Sequence, residues 1–363
     1  MVWHRLRRKG LSIGACWLVW QGLAVEVAGI RGVSGGREGV VGQEPKKAAA
    51  PAIVAQVDLV NVEVSVLNPK GDFVAGLKRE NFRILDNGAE QPITHFAPTE
   101  EPAEILVLVE TSPAVYLIHR QHLLAAEVLL GNLAVHDRVA VATYDQSIRF
   151  RTNFTEDKSA LANVLSELRY SLGSGQLNLY DSLAAAIDGL GSGEKKKGIV
   201  LLSTGLDTSG ENSWQKLKTR LMVGQVVVFP VALGGELRVR AKGKSKTGNP
   251  REEQSVPPEL SFAHAEQGLR EIAEMTGGRL FIPRDGSEFT AIYQQIARRL
   301  RNQYSLGFAP PARDGQIHRL EVQVLGDVPA CRDPKKQNRI KEADTVVKGC
   351  RVESRQEYLA PAE

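Results

Sequence analysis

Three stretches of the 363-residue chain are apolar at every position rather than at every second one: Ile105-Leu-Val-Leu-Val109, Ile199-Val-Leu-Leu202 and Val226-Val-Val-Phe-Pro-Val-Ala-Leu233. A strand lying on a solvated sheet alternates apolar and polar residues. One that is apolar throughout must be covered on both faces, as in a parallel sheet sandwiched by helices. The segments between and after these runs carry helical periodicity, with helices expected over 116–133, 158–171, 179–190, 213–223, 263–275 and 288–303. Further strands are expected over 139–143, 148–154 and 279–282. Strands alternating with helices at this spacing predict a doubly wound, mostly parallel α/β sheet. Ligands of such sheets sit beyond the carboxyl ends of the strands, here after Val109, Leu202 and Leu233.

The flanks have a different grain. Val57-Asp-Leu-Val-Asn-Val-Glu-Val-Ser-Val-Leu67 alternates, as a half-buried strand does, and Phe82-Arg-Ile-Leu85, Asp86-Asn-Gly88 and Gln91–Phe96 read as a hairpin with an Asn-Gly turn. After the α/β region, Tyr304–Phe308 and His318–Leu325 return to strand pattern. Neither flank is large enough to bury a core alone. The expectation is therefore one composite β domain, 53–102 with 304–363, from which the α/β domain, 103–303, emerges as an insertion.

The N-terminus is read separately. Arg5, Arg7, Arg8 and Lys9 precede a mostly apolar stretch from Leu11 to Ala24, the order of a secretory signal peptide; Gln21 and Glu26 leave the run short of a clean membrane span. Residues 1–28 are taken as the signal and 29–52, rich in Gly, Glu, Lys, Ala and Pro, as a linker. A retained N-terminal membrane anchor is the rival reading. Ile13-Gly-Ala-Cys16 is a poor lipoprotein box, because its apolar stretch follows the cysteine, and Arg7-Arg8 lacks the rest of a twin-arginine signal. The chain carries 46 basic and 42 acidic residues, or +4. Removing the four basic residues and Glu26 leaves 42 against 41, or +1, so the basic balance belongs to the signal and implies no anionic partner. Cys331 and Cys350 remain, and in an exported chain they suggest one disulfide, contributing about 3 kcal/mol by loop closure.

Several motifs taken together carry a family resemblance: Gly76-Leu-Lys-Arg-Glu-Asn-Phe82, Val109-Glu-Thr-Ser112, Leu179-Tyr-Asp-Ser-Leu183, Val200-Leu-Leu-Ser-Thr-Gly-Leu-Asp-Thr208, Ile272–Phe281, Tyr304–Phe308 and Tyr358-Leu-Ala-Pro361. Their order and spacing resemble the von Willebrand factor A-type (vWA) domain of bacterial exported proteins with a preceding β segment. The resemblance implies a metal-ion-dependent adhesion site, in which Mg²⁺ at the sheet's carboxyl edge is completed by a partner's carboxylate. Its usual ligands are Asp-x-Ser-x-Ser after the first strand, a Thr before the Leu-Tyr-Asp helix and an Asp after the strand ending at Ser203. Here those positions hold Glu110, Ser112, Ala114, Leu177 and Thr204, and only Ser112 matches. Magnesium wants hard oxygens in near-octahedral array, so a degenerate site without metal is expected. Mg²⁺ rescued through Asn178, Asp207 or a shifted Glu110 is the alternative.

Other signals are weaker. Gly243-Lys-Ser245 lacks the earlier glycine of a phosphate loop. Arg238–Lys246 and the segment between the two cysteines are basic and read as solvated loops. His119 and His122, three apart on a helix, lack a third ligand. No nucleophile–base constellation can be assembled and no nucleic-acid signature is present. The expectation is a secreted, periplasmic or envelope binding or scaffold module without cofactor, presenting loops near Ser112–Val115, Gly173–Asn178, Thr204–Asn212 and Gly234–Val256 to a protein partner, with membrane contact only through an uncleaved N-terminus. Two alternatives are an extracytoplasmic enzyme using Glu110, Asp207 or Asp181 as acid or base, and a structural part of an envelope complex.

Overall fold

The structure is a computed structural model. It describes residues 59–98, 101–113, 115, 119–170, 176–191, 195–233, 262–332 and 345–362. The signal and linker segments, 1–52, the basic loop Arg238–Lys246 and most of the loop between the cysteines lie outside the described residues, as do Ala114 and the side chains of His119 and His122.

Elements are numbered in chain order. The first flank gives β1 (Val60–Leu67), β2 (Phe82–Asp86), β3 (Ala89–Gln91) and β4 (His95–Ala97). The middle gives β5 (Ala103–Glu110), α1 (His119–Asn132), β6 (Arg138–Tyr144), β7 (Ile148–Phe150), α2 (Lys158–Ser166), α3 (Leu179–Leu190), β8 (Lys196–Ser203), α4 (Glu211–Val223), β9 (Val227–Ala232), α5 (Phe262–Thr276) and α6 (Phe289–Arg301). The last flank gives β10 (Tyr304–Phe308), β11 (Ile317–Val324), β12 (Arg351–Glu353) and β13 (Glu357–Leu359).

The five-stranded sheet runs β7-β6-β5-β8-β9. Strands β6, β5, β8 and β9 are parallel, and β7 is an antiparallel edge. The unbroken apolar runs are explained by β5: Ile105, Val107 and Val109 face a core shared with α1, α2 and α6, while Leu106 and Leu108 face one shared with α3, α4 and α5. This is the doubly wound α/β arrangement expected. Strand order reverses direction at β5, whose successor β6 lies on one side and β8 on the other, so the carboxyl ends of β5 and β8 flank the crevice where such sheets place their sites.

The flanking strands interleave. Sheets β12-β1-β10-β4 and β13-β11-β2-β3 each combine strands from before and after the α/β region, and a single core of Val62, Val64, Ile84, Leu306, Val322 and Tyr358 lies between them. The odd residues of β1 turn the other way. Asn61 Nδ2 donates to Gln225 Oε1 at 2.9 Å, and Gln225 Nε2 to the Leu59 carbonyl at 2.7 Å. At the start of β8, buried Lys196 donates to the Gln303 carbonyl at 2.8 Å. Buried Arg355 donates to the carbonyls of Leu221 and Gly224, at 2.7 and 2.8 Å, at the C-terminus of α4. These bonds all meet the amino edge of the parallel sheet, leaving its carboxyl edge at the opposite end.

Four expectations are corrected. The arm expected over Gln91–Phe96 divides at Pro92, which has no N–H to continue the ladder: β3 stays with β2, while β4 pairs with β10 in the other sheet. The edge strand expected over 148–154 stops at Phe150 because Arg151 and Thr152 both donate to the Val141 carbonyl, a two-against-one bulge; pairing resumes at Thr155 opposite Val139. The strand expected over 279–282 is reduced to a bridge between Phe281 and Val231. It is preceded by Gly277 at φ 74° and followed by Pro283, so the chain meets β9 briefly. The helix expected to reach 171 ends at Ser166, where Glu167 N–H is shared among three carbonyls. The short strands β12 and β13 have too little alternation to be seen in the sequence.

Candidate functional site

The carboxyl ends of three adjacent strands set the site. Glu110 ends β5 and is in register with Tyr144, the last residue of β6. Val109 is in register with Leu202, so Ser203 at the end of β8 falls beside Glu110 on the other side. Glu110 is fully buried, and Ser112, Tyr144, Ser203 and Thr204 are all at most 2% exposed.

Every described group bonded to the Glu110 carboxylate can offer it a hydrogen. Ser112 Oγ donates to Oε1 at 2.5 Å. The Thr204 backbone N–H donates to Oε2 at 2.7 Å, and its hydroxyl lies 2.9 and 3.1 Å from the two oxygens. Ser203 Oγ is 3.3 Å from Oε2 and itself accepts from Gly205 N–H at 2.8 Å. The Tyr144 hydroxyl stands 2.7 Å from Ser203 Oγ and 3.1 Å from Glu110 Oε2. Burial, and then the charge of Glu110, raise the Tyr144 pKa well above its ordinary value, so the phenol keeps its proton. A buried carboxylate is costly unless its lone pairs are filled, and here hydroxyls and a backbone N–H fill them.

The expected positions thus divide. Glu110, Ser112 and Thr204 are brought together. Leu177 is not part of the cluster: it is buried, and its backbone is held by Thr208, whose N–H and hydroxyl donate to the Leu177 carbonyl at 2.6 and 3.0 Å. Asn178 Nδ2 donates to the Gln146 carbonyl at 2.7 Å. Asp207 faces the start of α3, accepting from Tyr180 N–H at 3.1 Å and from the Ser209 and Gly210 N–H groups at 2.7 and 3.2 Å. It is a helix cap supplied from another loop. Asp181 accepts from Ser213 Oγ at 2.9 Å. Tyr144 and Ser203 escaped the sequence reading; what marks them is only that they end the strands on either side of β5.

Magnesium keeps several waters and takes oxygens at about 2.0–2.1 Å in octahedral array. Among the described residues the Glu110 carboxylate has its oxygens taken by hydrogen-bond donors, an arrangement that does not match the open, hydrated coordination such an ion takes. Among the described residues no group of three or more His, Cys, Asp or Glu side chains is placed to hold a metal ion. Two grooves, of about 270 and 550 Å³, lie away from this edge; the first is lined by residues of α3, α4 and Gln225, the second by β1 and α6.

No family model matches the chain, and no curated protein matches it. Solved structures do. A von Willebrand factor type A protein from Catenulispora acidiphila is 12% identical over 85% of this chain and 75% of its own, with a TM-score of 0.41. The conserved hypothetical protein BatB from Bacteroides thetaiotaomicron is 16% identical over 54% of this chain and 98% of its own, at 0.38. The vWF domain of the type V pili tip protein Mfa5 from Porphyromonas gingivalis is 12% identical over 55% and 95%, at 0.37. The α/β assignment itself stands on strand order and register.

Proposed function

We propose that the protein is an extracytoplasmic vWA-like binding or scaffold module whose carboxyl edge works without a metal ion. The observation that supports this most directly is the filling of the Glu110 carboxylate by Ser112, Thr204, Ser203 and Tyr144. An adhesion site of the usual kind would leave an ion's open coordination position for a partner's carboxylate. With the ion's place taken by hydroxyls, recognition rests on shape, apolar contact and hydrogen bonds from the loops after β5 and β8. The capping role of Asp207 and the enclosure of Glu110 count against the enzyme reading, since an acid or base must reach substrate. Export is supported by the basic and apolar order of the N-terminus and by the Cys331–Cys350 disulfide, a bond that persists in oxidising compartments.

The test is titration of the purified protein with Mg²⁺, Mn²⁺ and Ca²⁺, together with recovery of partners from the native envelope with and without chelator. Partner recovery indifferent to chelator is expected. Micromolar ion binding that disappears in Glu110→Gln would overturn the reading.

A further inference from the structure

The second groove, of about 550 Å³, lies between β1 and the C-terminal half of α6. Its helical wall is Gln295, Arg298, Arg299 and Asn302, spaced three, four and seven residues apart and hence on one face. Among the described residues the side chains of Gln295, Arg298 and Asn302 make no hydrogen bond or ion pair, and Gln295 and Arg298 are exposed, so their donors can exchange solvent for a ligand. Ser65 lines the groove from β1 and is only 3% exposed. It belongs to the odd face of β1, which turns away from the β core, and its hydroxyl has no hydrogen-bond partner among the described residues. Unlike the partnerless side-chain atoms sealed inside the protein, its oxygen opens to the groove, where it can donate to a ligand.

Charge around the groove is unbalanced. Arg299 and Arg351 share the single carboxylate of Glu353, Arg351 Nε lying 3.1 Å from it. Arg279 stands close enough to be repelled by both arginines; burial first, and then that repulsion, lower its pKa despite Glu353. Arg298 makes no ion pair. Two guanidinium groups, Arg298 and Arg299, line the groove itself, Arg299 being paired with Glu353; on the opposite rim stands Asp72, whose carboxylate takes the Asn68 amide at 3.3 Å.

We infer that this groove is a binding site for a dianionic oxyanion group, with Arg298 as the principal ligand, Arg299 beside it and Ser65, Gln295 and Asn302 donating from wall and floor. Guanidinium forks match phosphate and carboxylate oxygens in geometry as well as charge, and the groove has the volume of a small-molecule site. The site lies at the amino edge of the sheet and is independent of the function proposed for the carboxyl edge.

Calorimetric titration of the purified protein with inorganic phosphate, and separately with succinate, tests it and distinguishes the two sources of the oxyanion. Binding of at least one is expected, weakening with added salt. Arg298→Gln should weaken it about tenfold, the weight of one charge-assisted hydrogen bond, and Ser65→Ala should weaken it by a smaller factor. Circular dichroism and thermal unfolding of both variants should match the parent, since neither side chain is bonded within the protein. Absence of binding by both anions, or binding that neither substitution changes, would overturn the inference.

Discussion

The backbone N–H of Thr204 lies 2.7 Å from Oε2 of Glu110, tying the first residue beyond β8 to the last residue of β5. With aspartate at position 110 the carboxylate would be one methylene short of this bond. The longer side chain of Glu110 and the hydroxyl of Thr204 are therefore complementary departures: each fills what the other leaves.

Removing the charge of Glu110 should disturb both loops. In Glu110→Gln one carboxylate oxygen becomes an NH₂ group facing hydroxyl donors at a fully buried position, which should cost about 3 kcal/mol. Thr204→Val, which keeps the backbone N–H bond, should cost about half as much. Equilibrium urea unfolding measures both; an unchanged midpoint in Glu110→Gln would mean that the carboxylate contributes nothing to holding the edge together.

A pH dependence is expected from the β layers. His318, 5% exposed, has Nδ1 2.8 Å from Asp86 Oδ1 and Nε2 3.2 Å from Asp314 Oδ2, while the Tyr358 hydroxyl donates to the other Asp86 oxygen at 2.9 Å. Burial pulls the imidazole pKa down, but the bonds to Asp314 and Asp86 outweigh it and the net shift is upward. With a carboxylate at each ring nitrogen, the charged form donates twice. The stabilisation is fully present below the unfolded value of about 6.5 and is lost as pH rises through the higher folded value. Denaturation midpoints should fall over that interval in the parent, and the corresponding fall should be absent in His318→Gln.

Arg355 is a buried cation whose side-chain bonds go to carbonyls alone. Burial lowers its pKa to about 10, which still leaves it charged at neutral pH beside the negative end of α4. Arg355→Met should leave the Leu221 and Gly224 carbonyls without their donor and cost about 2–4 kcal/mol. Arg355→Lys, a single donor point in place of a fork, should recover only part of this. Full recovery by lysine in thermal unfolding would argue for charge alone.

Reduction of the Cys331–Cys350 disulfide should lower stability by about 3 kcal/mol through the freed loop of the unfolded chain. Urea unfolding with and without dithiothreitol reads this directly. The Cys331→Ser, Cys350→Ser double variant should match the reduced parent and be insensitive to reductant.

The large-scale order was legible because the signal is strong: Ile105–Val109 is apolar at every position, and the cores on its two faces bear that out. The interleaving of the flanks was legible from the size argument, since strands of that length cannot stand alone. What failed was local. Pro92 and the Arg151–Thr152 bulge redirect short strands through single backbone donors, which hydrophobic pattern does not register. Glu110 and Thr204 were found as departures from a family pattern and Ser112 as its one match, yet Tyr144 was not found. Its role arises from the register of β5 against β6, which pairs residues 34 apart, and pairing across a sheet leaves no local trace. Asp207 was a possible metal ligand in the sequence and is a helix cap in the fold; both uses ask for a carboxylate in a loop.

The placement of β1 and β13 has a mechanical consequence. Both ends of the described chain lie in the β layers, β1 in one sheet and β13 in the other, and the α/β region leaves and rejoins those layers between β4 and β10. Tension entering at Leu59 and leaving at Pro361 is carried by shear of β1 against β10 and of β13 against β11. The parallel sheet hangs off that load path as a side branch, so a pull that strains the tethering strands leaves the Glu110 edge unstretched.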